Sequence, residues 1–290
     1  MKVAVLSDIH GNLPALQTVV ADIDAWSPDI VIVGGDIINR GPSSGACLEW
    51  MLERRETMGW QLLRGNHEEF VLDCAVPDRP LSGPGYEVKQ FAHFALAQIG
   101  EMAMDVKLLP DIYEHSMPNN QSLRVVHASM RSNRDGIYPE TPDNTLQRQI
   151  APAPAVFVTG HTHRPLIRRL GDTLVVNIGS VGSSFDNDRR AGYGQFTWSG
   201  GEWHAAVVRL DYDFSQTEAD YVRSGFLERG GPLAQLMLVE LRKAHGLIHR
   251  WASRYEEAVL TEYMTLEESV RLILSDEDIR PFTGPPGWII

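Results

Sequence analysis

Cysteine is scarce in this chain, and neither Cys47 nor Cys74 stands in a Cys-x-x-Cys pair. Small proteins held together by disulfides and zinc sites built from thiolates both need more cysteine at closer spacing. The sequence therefore argues against both classes. We predict instead that the two cysteines are small buried residues of a hydrophobic core.

Positive charge is also in short supply, because 26 lysines and arginines stand against 38 aspartates and glutamates. The formal net charge of −12 argues against a broad nucleic-acid surface and against an anionic-membrane surface, since both need clustered cations. An anionic substrate must therefore be bound at a local site.

Long apolar runs are missing as well. The apolar stretch at residues 1–6 is too short for a signal peptide, and no run approaches the length of a membrane-spanning helix. We therefore predict a cytoplasmic protein that does not enter the membrane. What is present is an ordinary globular composition, with 43% hydrophobic and 22% charged residues, which can bury a core.

The distribution of apolar residues predicts an α/β fold. Short β-branched runs are typical of buried strands, and a Ser-Gly-Gly turn between residues 193–198 and 203–210 favours an antiparallel hairpin, so the sheet is mixed. A period near 3.6 predicts one helix beginning near Leu13 and another over residues 87–99. The predicted buried strands are residues 3–6, 30–33, 61–63, 123–126, 156–158 and 174–178.

After about Asp211 the strand pattern stops and helical patterns follow. Helices are predicted over residues 232–260 and from Thr265, where Thr-Leu-Glu-Glu has the spacing of a capping box. We therefore predict a main domain over residues 1–210 and an all-helical C-terminal extension over residues 211–290, packed on or beside it. Residues 281–290 are predicted to form an irregular tail with an apolar end that docks on the protein.

Five of the predicted strands are each followed by a turn, rich in glycine or alanine, that carries aspartate, histidine or asparagine. Open α/β sheets place their sites at the carboxyl ends of the strands. Each turn alone is as well explained by helix capping or a tight turn, but five such coincidences are not. Carboxylate, imidazole and amide donors without thiolate suit divalent metal ions. The candidate ligands are Asp8, His10, Asp36, Asn66, His127, His161 and His163.

This ordered set resembles the motifs of the calcineurin-like metallophosphoesterase superfamily. Asp-x-His, Gly-Asp, Gly-Asn-His-Glu, a lone His and Gly-His-x-His occur in that order, beginning at Asp8 and ending at His163. The match spans residues 1 to about 210, and its loops are most similar to those of the small bacterial and archaeal phosphodiesterases. The resemblance implies a four-layer αββα sandwich of mixed β-sheets, with residues 1–210 as the catalytic domain.

The same resemblance implies two divalent ions. One ion would be held by Asp8, His10, Asp36 and His163, and the other by Asp36, Asn66, His127 and His161, with Asp36 as the bridge. A hydroxide shared by the ions is expected to attack phosphorus while His67 protonates the departing oxygen. Manganese is our first choice of metal, and iron, zinc, nickel and cobalt also suit these donors.

The first hypothesis for the substrate is a phosphodiester, with phosphomonoesters as a second class. A diadenosine tetraphosphatase or a serine/threonine phosphatase is an alternative, because Gly-Asp-x-x-Asn-Arg-Gly and Arg-Gly-Asn-His-Glu resemble their motifs. In those relatives an aspartate stands at the position of Asn39 and orients the catalytic histidine, so Asn39 argues against the protein-phosphatase alternative. A catalytically silent scaffold that binds a partner through its helices is disfavoured, because every ligand position is filled.

Arginines accumulate near the same turns. We predict that Arg40 and Arg190 bind the phosphate or nucleotide part of a small substrate. The histidines outside the motifs are predicted to be structural, and they are His93, His115, His204, His245 and His249. For the helical extension we consider three roles, which are packing on the domain, covering the site and forming a homo-oligomer.

Overall fold

The computed structural model describes residues 1–76, 80–117 and 121–276, so the tail predicted for residues 281–290 lies outside the described residues. Ten strands fall within the described part of the chain. In chain order they are β1 (Lys2–Leu6), β2 (Ile30–Val33), β3 (Gln61–Leu62), β4 (Ile112–His115), β5 (Leu123–Val126), β6 (Val156–Thr159), β7 (Leu166–Leu170), β8 (Thr173–Asn177), β9 (Ala191–Ser199) and β10 (Glu202–Leu210).

The strands form two mixed sheets of five strands each. The first sheet has the order β10-β9-β1-β2-β3, in which β1, β2 and β3 are parallel and β9 is antiparallel to β1. The second sheet has the order β4-β5-β6-β8-β7, in which β5, β6 and β8 are parallel and both edge strands are antiparallel. The predicted hairpin is formed by β9 and β10.

Twelve α-helices are described, and they lie on the outer faces of the sheets and after the last strand. In chain order they are α1 (Leu13–Trp26), α2 (Ser44–Met58), α3 (Asn66–Asp73), α4 (Pro84–Glu87), α5 (Gln90–Ile99), α6 (Ala103–Lys107), α7 (Asp143–Gln149), α8 (Phe214–Arg223), α9 (Phe226–Arg229), α10 (Leu233–Lys243), α11 (Ile248–Leu260) and α12 (Leu266–Asp276). The capping box predicted at Thr265 is present, because Thr265 and Glu268 exchange side-chain to backbone hydrogen bonds of 3.1 Å.

The alternation of side chains along the strands places the two sheets face to face between helices. In β1, Val3 belongs to the core between the sheets, whereas its neighbour Ala4 belongs to the core under the first helical layer. In β6, Val158 faces the first sheet, and Phe157 packs with α7 on the opposite side. The predicted four-layer αββα sandwich is thereby confirmed.

Several predicted elements are wrong in detail. The helical pattern predicted over residues 232–260 contains two helices, because Ala244 adopts the left-handed conformation (φ 49°) and ends α10. We call residues 244–247 the elbow. The helix predicted over residues 87–99 begins at Gln90, after the separate turn α4. Strands β4 and β7 were not predicted, because they are edge strands with exposed charged side chains.

The described chain contains no strand after Leu210, and α8 to α12 fill its C-terminal part. These helices share a hydrophobic core with the helices of the first sheet, where Phe226 of α9 lies 5.1 Å from the ring of Phe94 in α5. The extension is therefore packed on the domain that precedes it. Within the described ranges, no helix combines the length and the apolar character needed to cross a membrane.

Candidate metal centre

Loops from both sheets meet at the carboxyl ends of β1, β2, β3, β5 and β6. Asp8 N donates to Gly35 O at 3.1 Å, which joins the loop after β1 to the loop after β2. Gly160 N donates to His127 O at 3.0 Å, which joins the loops after β6 and β5. All seven predicted ligand side chains consequently lie at one edge of the sandwich.

Asp8, His10 and His163 form a first group of donors, whose ligand atoms lie within 4.8 Å of one another. Asp8 Oδ1 is 3.2 Å from His163 Nε2 and 3.9 Å from His10 Nε2, and the two Nε2 atoms are 3.2 Å apart. All three side chains are buried. Their donor atoms converge in the way that the ligands of one cation do.

Asp36, His127 and His161 form a second group with the same spacing. Asp36 Oδ2 is 3.2 Å from His127 Nε2, and Asn66 Oδ1 is 2.9 Å from the same nitrogen. Asp36 Oδ2 also lies 3.7 Å from His10 Nε2. One carboxylate oxygen therefore faces both donor groups.

The residues present fit divalent cations. Asp8 Oδ1 and His10 Nδ1 are buried and have no hydrogen-bond partner among the residues that the structure describes. A buried carboxylate oxygen without a partner is costly, and a bound cation removes that cost. Nδ1 of His127 lies 3.0 Å from a backbone carbonyl oxygen, and Nδ1 of His163 also bonds one. These bonds keep the proton on Nδ1 and leave the Nε2 lone pair for a metal.

Backbone contacts orient the two site carboxylates. Asp8 Oδ2 accepts a hydrogen bond from His161 N at 3.0 Å, and Asp36 Oδ1 accepts one from His67 N at 2.8 Å. The remaining oxygen of each carboxylate is turned toward the donor groups. Glycine is required beside Asp8, because a Cβ atom on Gly160 would lie only 2.3 Å from Asp8 Oδ2.

The backbone of the site adopts an uncommon conformation. Five of the seven predicted ligands have φ in the left-handed region, which non-glycine residues rarely adopt and which concentrates at functional sites. They are Asp8 (57°), His10 (49°), Asp36 (53°), His161 (64°) and His163 (56°). The hydrogen bonds between the loops hold the chain in this state.

Glu68 joins the loops after β2 and β3. Its buried carboxylate accepts hydrogen bonds from Asp36 N, Ile37 N and Gly65 N at 2.7 to 2.8 Å and from Ile38 N at 3.3 Å. Burial and the charge of Asp36 raise the pKa of Glu68 to about 7, against the effect of the N–H donors. Four converging donors fit an ionised carboxylate, which only accepts hydrogen bonds. The sequence motif contained Glu68 but gave it no role.

Asp36 and His127 shift each other's pKa in opposite directions. Burial lowers the pKa of His127, but the charge of Asp36 and its hydrogen bond outweigh burial and raise that pKa to about 10. Burial acts to raise the pKa of Asp36, yet His127 and His67 hold it well below its ordinary value. Burial lowers the pKa of His161 to about 4. Without metal the site therefore keeps a proton on His127, which a metal ion must displace.

Asn39 positions His67. Asn39 Oδ1 accepts a hydrogen bond from Arg40 N at 3.0 Å, which fixes the orientation of the amide. Asn39 Nδ2, 2.8 Å from His67 Nδ1, is therefore the donor in that contact, and the ring proton of His67 lies on Nε2. Burial lowers the pKa of His67 to about 3, although the charge of Asp36 opposes this. The neutral amide of Asn39, rather than a carboxylate, therefore orients His67.

A cleft of 720 Å³ opens over the site. Five of its lining residues belong to the predicted site, namely Asp36, Arg40, His67, His161 and His163, and the others are Tyr138, Thr162, Arg164, Phe185, Asp186, Asn187, His245, Gly246 and His249. A larger cavity of 1040 Å³ is lined by residues such as Asp143, Arg169 and Trp203, and it contains none of the metal donors. We therefore assign the substrate site to the smaller cleft.

Of the two arginines predicted to bind substrate, the structure brings only Arg40 to the cleft. Arg40 Nη2 bonds Oε2 of the buried Glu240, and the guanidinium carbon lies 5.5 Å from the ring centre of Phe185. Arg190 bonds Asp188 on the surface and does not line the cleft. A role in substrate binding stays a prediction for both arginines.

The sequence did not predict that the helical extension contributes residues to the cleft. His245 and His249 were predicted to be structural, yet both line the cleft. Glu240 also reaches the site, 200 residues away in sequence from its partner Arg40. The one available signal was an acidic residue within the apolar run at residues 236–241, because a glutamate is rarely buried without a partner.

Two buried groups of metal donors at one edge of an αββα sandwich, beneath a small cleft, define a metal-dependent enzyme. The model of the calcineurin-like phosphoesterase family matches residues 1–166. The chain belongs to this family, and it is a metal-dependent phosphoesterase.

One further protein is similar to this chain in sequence, and two solved structures have a similar fold. An uncharacterized protein of Methanocaldococcus jannaschii is 23% identical over 244 residues, which are 77% of this chain and 92% of the relative. The crystal structure of a metallophosphoesterase from Sphaerobacter thermophilus has a TM-score of 0.65 and 22% identity, covering 84% of this chain and 99% of that chain. The crystal structure of a hypothetical protein from Pyrococcus horikoshii OT3 has a TM-score of 0.68 and 19% identity, covering 82% and 97%.

Proposed function

We propose that the protein hydrolyses phosphodiesters, and phosphomonoesters at no higher rate, with two divalent metal ions. The observation that carries this proposal is the position of Asp36 Oδ2, 3.2 Å from His127 Nε2 and 3.7 Å from His10 Nε2. A carboxylate oxygen that faces two donor groups can bridge two cations. One ion would be held by Asp8, His10, Asp36 and His163, and the other by Asp36, Asn66, His127 and His161.

The charge of such a centre favours a phosphate ester. Asp8 and Asp36 contribute two negative charges against two divalent cations, so the loaded site is positive although the chain carries a net charge of −12. When bound, the ions would activate a water molecule for attack on phosphorus and neutralise charge on the phosphate oxygens. Manganese is our first choice because of the carboxylate content, and iron, zinc, nickel and cobalt are the alternatives.

The preference for diesters rests on the other cations of the cleft. The guanidinium of Arg40 is paired with Glu240, and that of Arg164 is paired with Glu140. A phosphodiester carries one negative charge, whereas a monoester dianion carries two and needs more uncommitted positive charge. A cleft whose arginines are already paired therefore favours the diester.

His67 is proposed to act on the leaving group. Asn39 keeps Nδ1 of His67 as an acceptor, so the Nε2–H group is free to donate to the departing ester oxygen. The ring is packed edge-on against His10, with 4.9 Å between the ring centres. In the metal-free protein this imidazole is neutral. Complete proton transfer therefore requires His67 to carry a proton on both ring nitrogens, with the charge of the bound phosphate raising its pKa and the Asn39 amide turned so that Oδ1 accepts from Nδ1–H.

The test is a metal-replacement assay on matched chromogenic substrates. Protein stripped with a chelator is reloaded with manganese, iron, zinc, nickel or cobalt and given bis(p-nitrophenyl) phosphate or p-nitrophenyl phosphate. We expect diester hydrolysis to equal or exceed monoester hydrolysis with manganese. Asp36→Ala should abolish both, whereas Asp111→Ala, which changes an exposed carboxylate outside the cleft, should not.

Inactivity with every metal would refute the proposal and favour a silent scaffold. Preferential hydrolysis of a phosphopeptide would favour the serine/threonine phosphatase alternative. Preferential hydrolysis of diadenosine tetraphosphate would favour the diadenosine tetraphosphatase alternative.

A further inference from the structure

The elbow between α10 and α11 forms part of the cleft wall. His245 and Gly246 of the elbow and His249 in the first turn of α11 line the same cleft as His67 and His163. The helical extension therefore contributes side chains to the proposed substrate site. This contribution comes from a part of the chain that lies beyond residues 1–166, which the family model matches.

The elbow is fixed to the loops of the metal centre. Glu240 Oε1 accepts hydrogen bonds from Leu247 N and Ile248 N, while its other oxygen bonds Arg40 in the loop after β2. Ala244 O accepts a hydrogen bond from Asn187 N at 3.0 Å. These contacts hold the elbow in one place relative to the metal donors.

Flat surfaces line the same space. Phe185 stacks on His163, with ring centres 4.3 Å apart and an interplanar angle of 21°, and a Cβ atom on Gly246 would lie 3.5 Å from that phenyl ring. Tyr138 also lines the cleft and is 43% exposed. The exposed ring of Tyr138 offers stacking surface to a planar ligand group.

His245 and His249 are two polar side chains of the cleft that remain available to a ligand. Both are exposed, and neither imidazole makes a hydrogen bond with any other residue that the structure describes. Arg40 is committed to the buried Glu240, whereas Arg164 forms an exposed ion pair with Glu140. Imidazoles both donate and accept hydrogen bonds, which suits hydroxyl and amide groups as well as phosphate oxygens.

The size of the cleft limits what can enter. Its 720 Å³ falls within the range of about 300 to 1,000 Å³ that is usual for small-molecule sites. A folded phosphoprotein or a nucleic-acid strand needs an open surface, which the elbow partly occupies. A nucleoside offers a planar ring, hydroxyl groups and a compatible size.

We propose that the elbow is a specificity wall, at which His245 and His249 bind the nucleoside part of a nucleotide-sized phosphodiester while its phosphate lies at the metal centre. This inference rests on the proposed phosphodiesterase function. It names the substrate class and two specificity residues that the metal centre alone does not define.

The test compares two diesters that share a leaving group. Thymidine 5′-(p-nitrophenyl phosphate) carries a nucleoside, and methyl p-nitrophenyl phosphate carries a methyl group in its place. The unchanged manganese-loaded protein should prefer the nucleotide in kcat/KM. In His245→Ala/His249→Ala this preference should fall about tenfold, which corresponds to the loss of two hydrogen bonds, and most of the change should appear in KM.

The control variant is His204→Ala, which removes an exposed imidazole on β10 and should leave the preference unchanged. Metal content and melting temperature of each variant show whether the centre and the fold are intact. If the unchanged protein cleaves both diesters but the double variant retains the full preference, the specificity wall is refuted and the phosphodiesterase function stands. If the unchanged protein cleaves neither diester with any metal, the proposed phosphodiesterase function itself fails.

Discussion

Replacing either partner of the Arg40–Glu240 pair should destabilise the protein, and replacing Glu240 should destabilise it more. The side chains are 12% and 1% exposed, so each charge depends on the other for its compensation. Glu240 also accepts the hydrogen bonds of Leu247 N and Ile248 N, which Arg40 does not touch. The asymmetry between the two substitutions therefore reports on the support of the elbow.

The magnitudes follow from these contacts. Removing one partner of a buried ion pair costs about 3 to 5 kcal/mol, because the other charge is left unpaired. For Arg40→Met we expect the lower end, about 3 kcal/mol, and for Glu240→Met about 5 kcal/mol, because backbone N–H groups also lose their acceptor. The double variant should cost less than the sum by about 1 to 3 kcal/mol, since neither charge is then stranded.

The measurement is urea unfolding of the metal-free protein, followed by tryptophan fluorescence and checked by calorimetry. Metal is removed because bound ions add stability of their own. Each kcal/mol should lower the melting temperature by about 2 to 4 °C. The control is Arg134→Met, whose ion pair with Glu69 is 51% and 35% exposed and should contribute at most about 1 kcal/mol.

Two results would refute this reasoning. If Arg40→Met costs no more than the Arg134→Met control, the ion pair does not behave as buried. If Glu240→Met costs no more than Arg40→Met, the hydrogen bonds of Glu240 to the backbone do not support the elbow.

Three further predictions concern the metal centre. Manganese at a hundredfold excess over its dissociation constant should raise the melting temperature of the metal-free protein by about 5 to 10 °C, and Asp8→Asn should reduce this rise; a calorimetric scan without any rise would contradict the ligand assignment. Manganese binding at pH 8 should release about one proton, because His127 is protonated below its pKa of about 10 and must be neutral as a ligand. Because this pKa is raised, the stability that protonated His127 adds to the metal-free fold is complete below pH 6.5 and is lost as the pH rises through about 10. Proton release on manganese binding, measured calorimetrically in two buffers, should therefore vanish above that pH. Asn39→Ala should lower kcat by about tenfold to a hundredfold at unchanged metal content, because His67 loses its orientation, and Asn39→Asp should retain more activity than Asn39→Ala; equal kcat in all three proteins would exclude a positioning role.

The central strands and the first helices could be predicted because local pattern and burial agree in them. β1 and β2 are apolar on both faces, as strands buried between layers must be. β7 was missed because Arg168 and Arg169 interrupt its apolar pattern at an exposed edge. The break at Ala244 could not be predicted, since alanine favours helix and its left-handed conformation is accompanied by a tertiary hydrogen bond to Asn187.

The clustering of the candidate ligands was predictable for a related reason. These residues follow parallel strands directly, so spacing in the sequence carries over to spacing in the site. Spacing in the sequence does not predict the residues of the cleft wall, because His245 and His249 reach the site only through the packing of the extension. The same holds for Glu68, whose four backbone contacts come from loops that only the folded sheet brings together.

Arg40 connects the two halves of the site. Its backbone N–H fixes the amide of Asn39, which orients His67, while its guanidinium bonds Glu240, which supports the elbow. Loosening the elbow through Glu240 therefore also leaves an unpaired cation near His67, and turnover and specificity should change together. Substitutions at His245 and His249 avoid this, because neither imidazole makes a hydrogen bond with another residue that the structure describes. The two kinds of variant together separate positioning of His67 from recognition of the substrate.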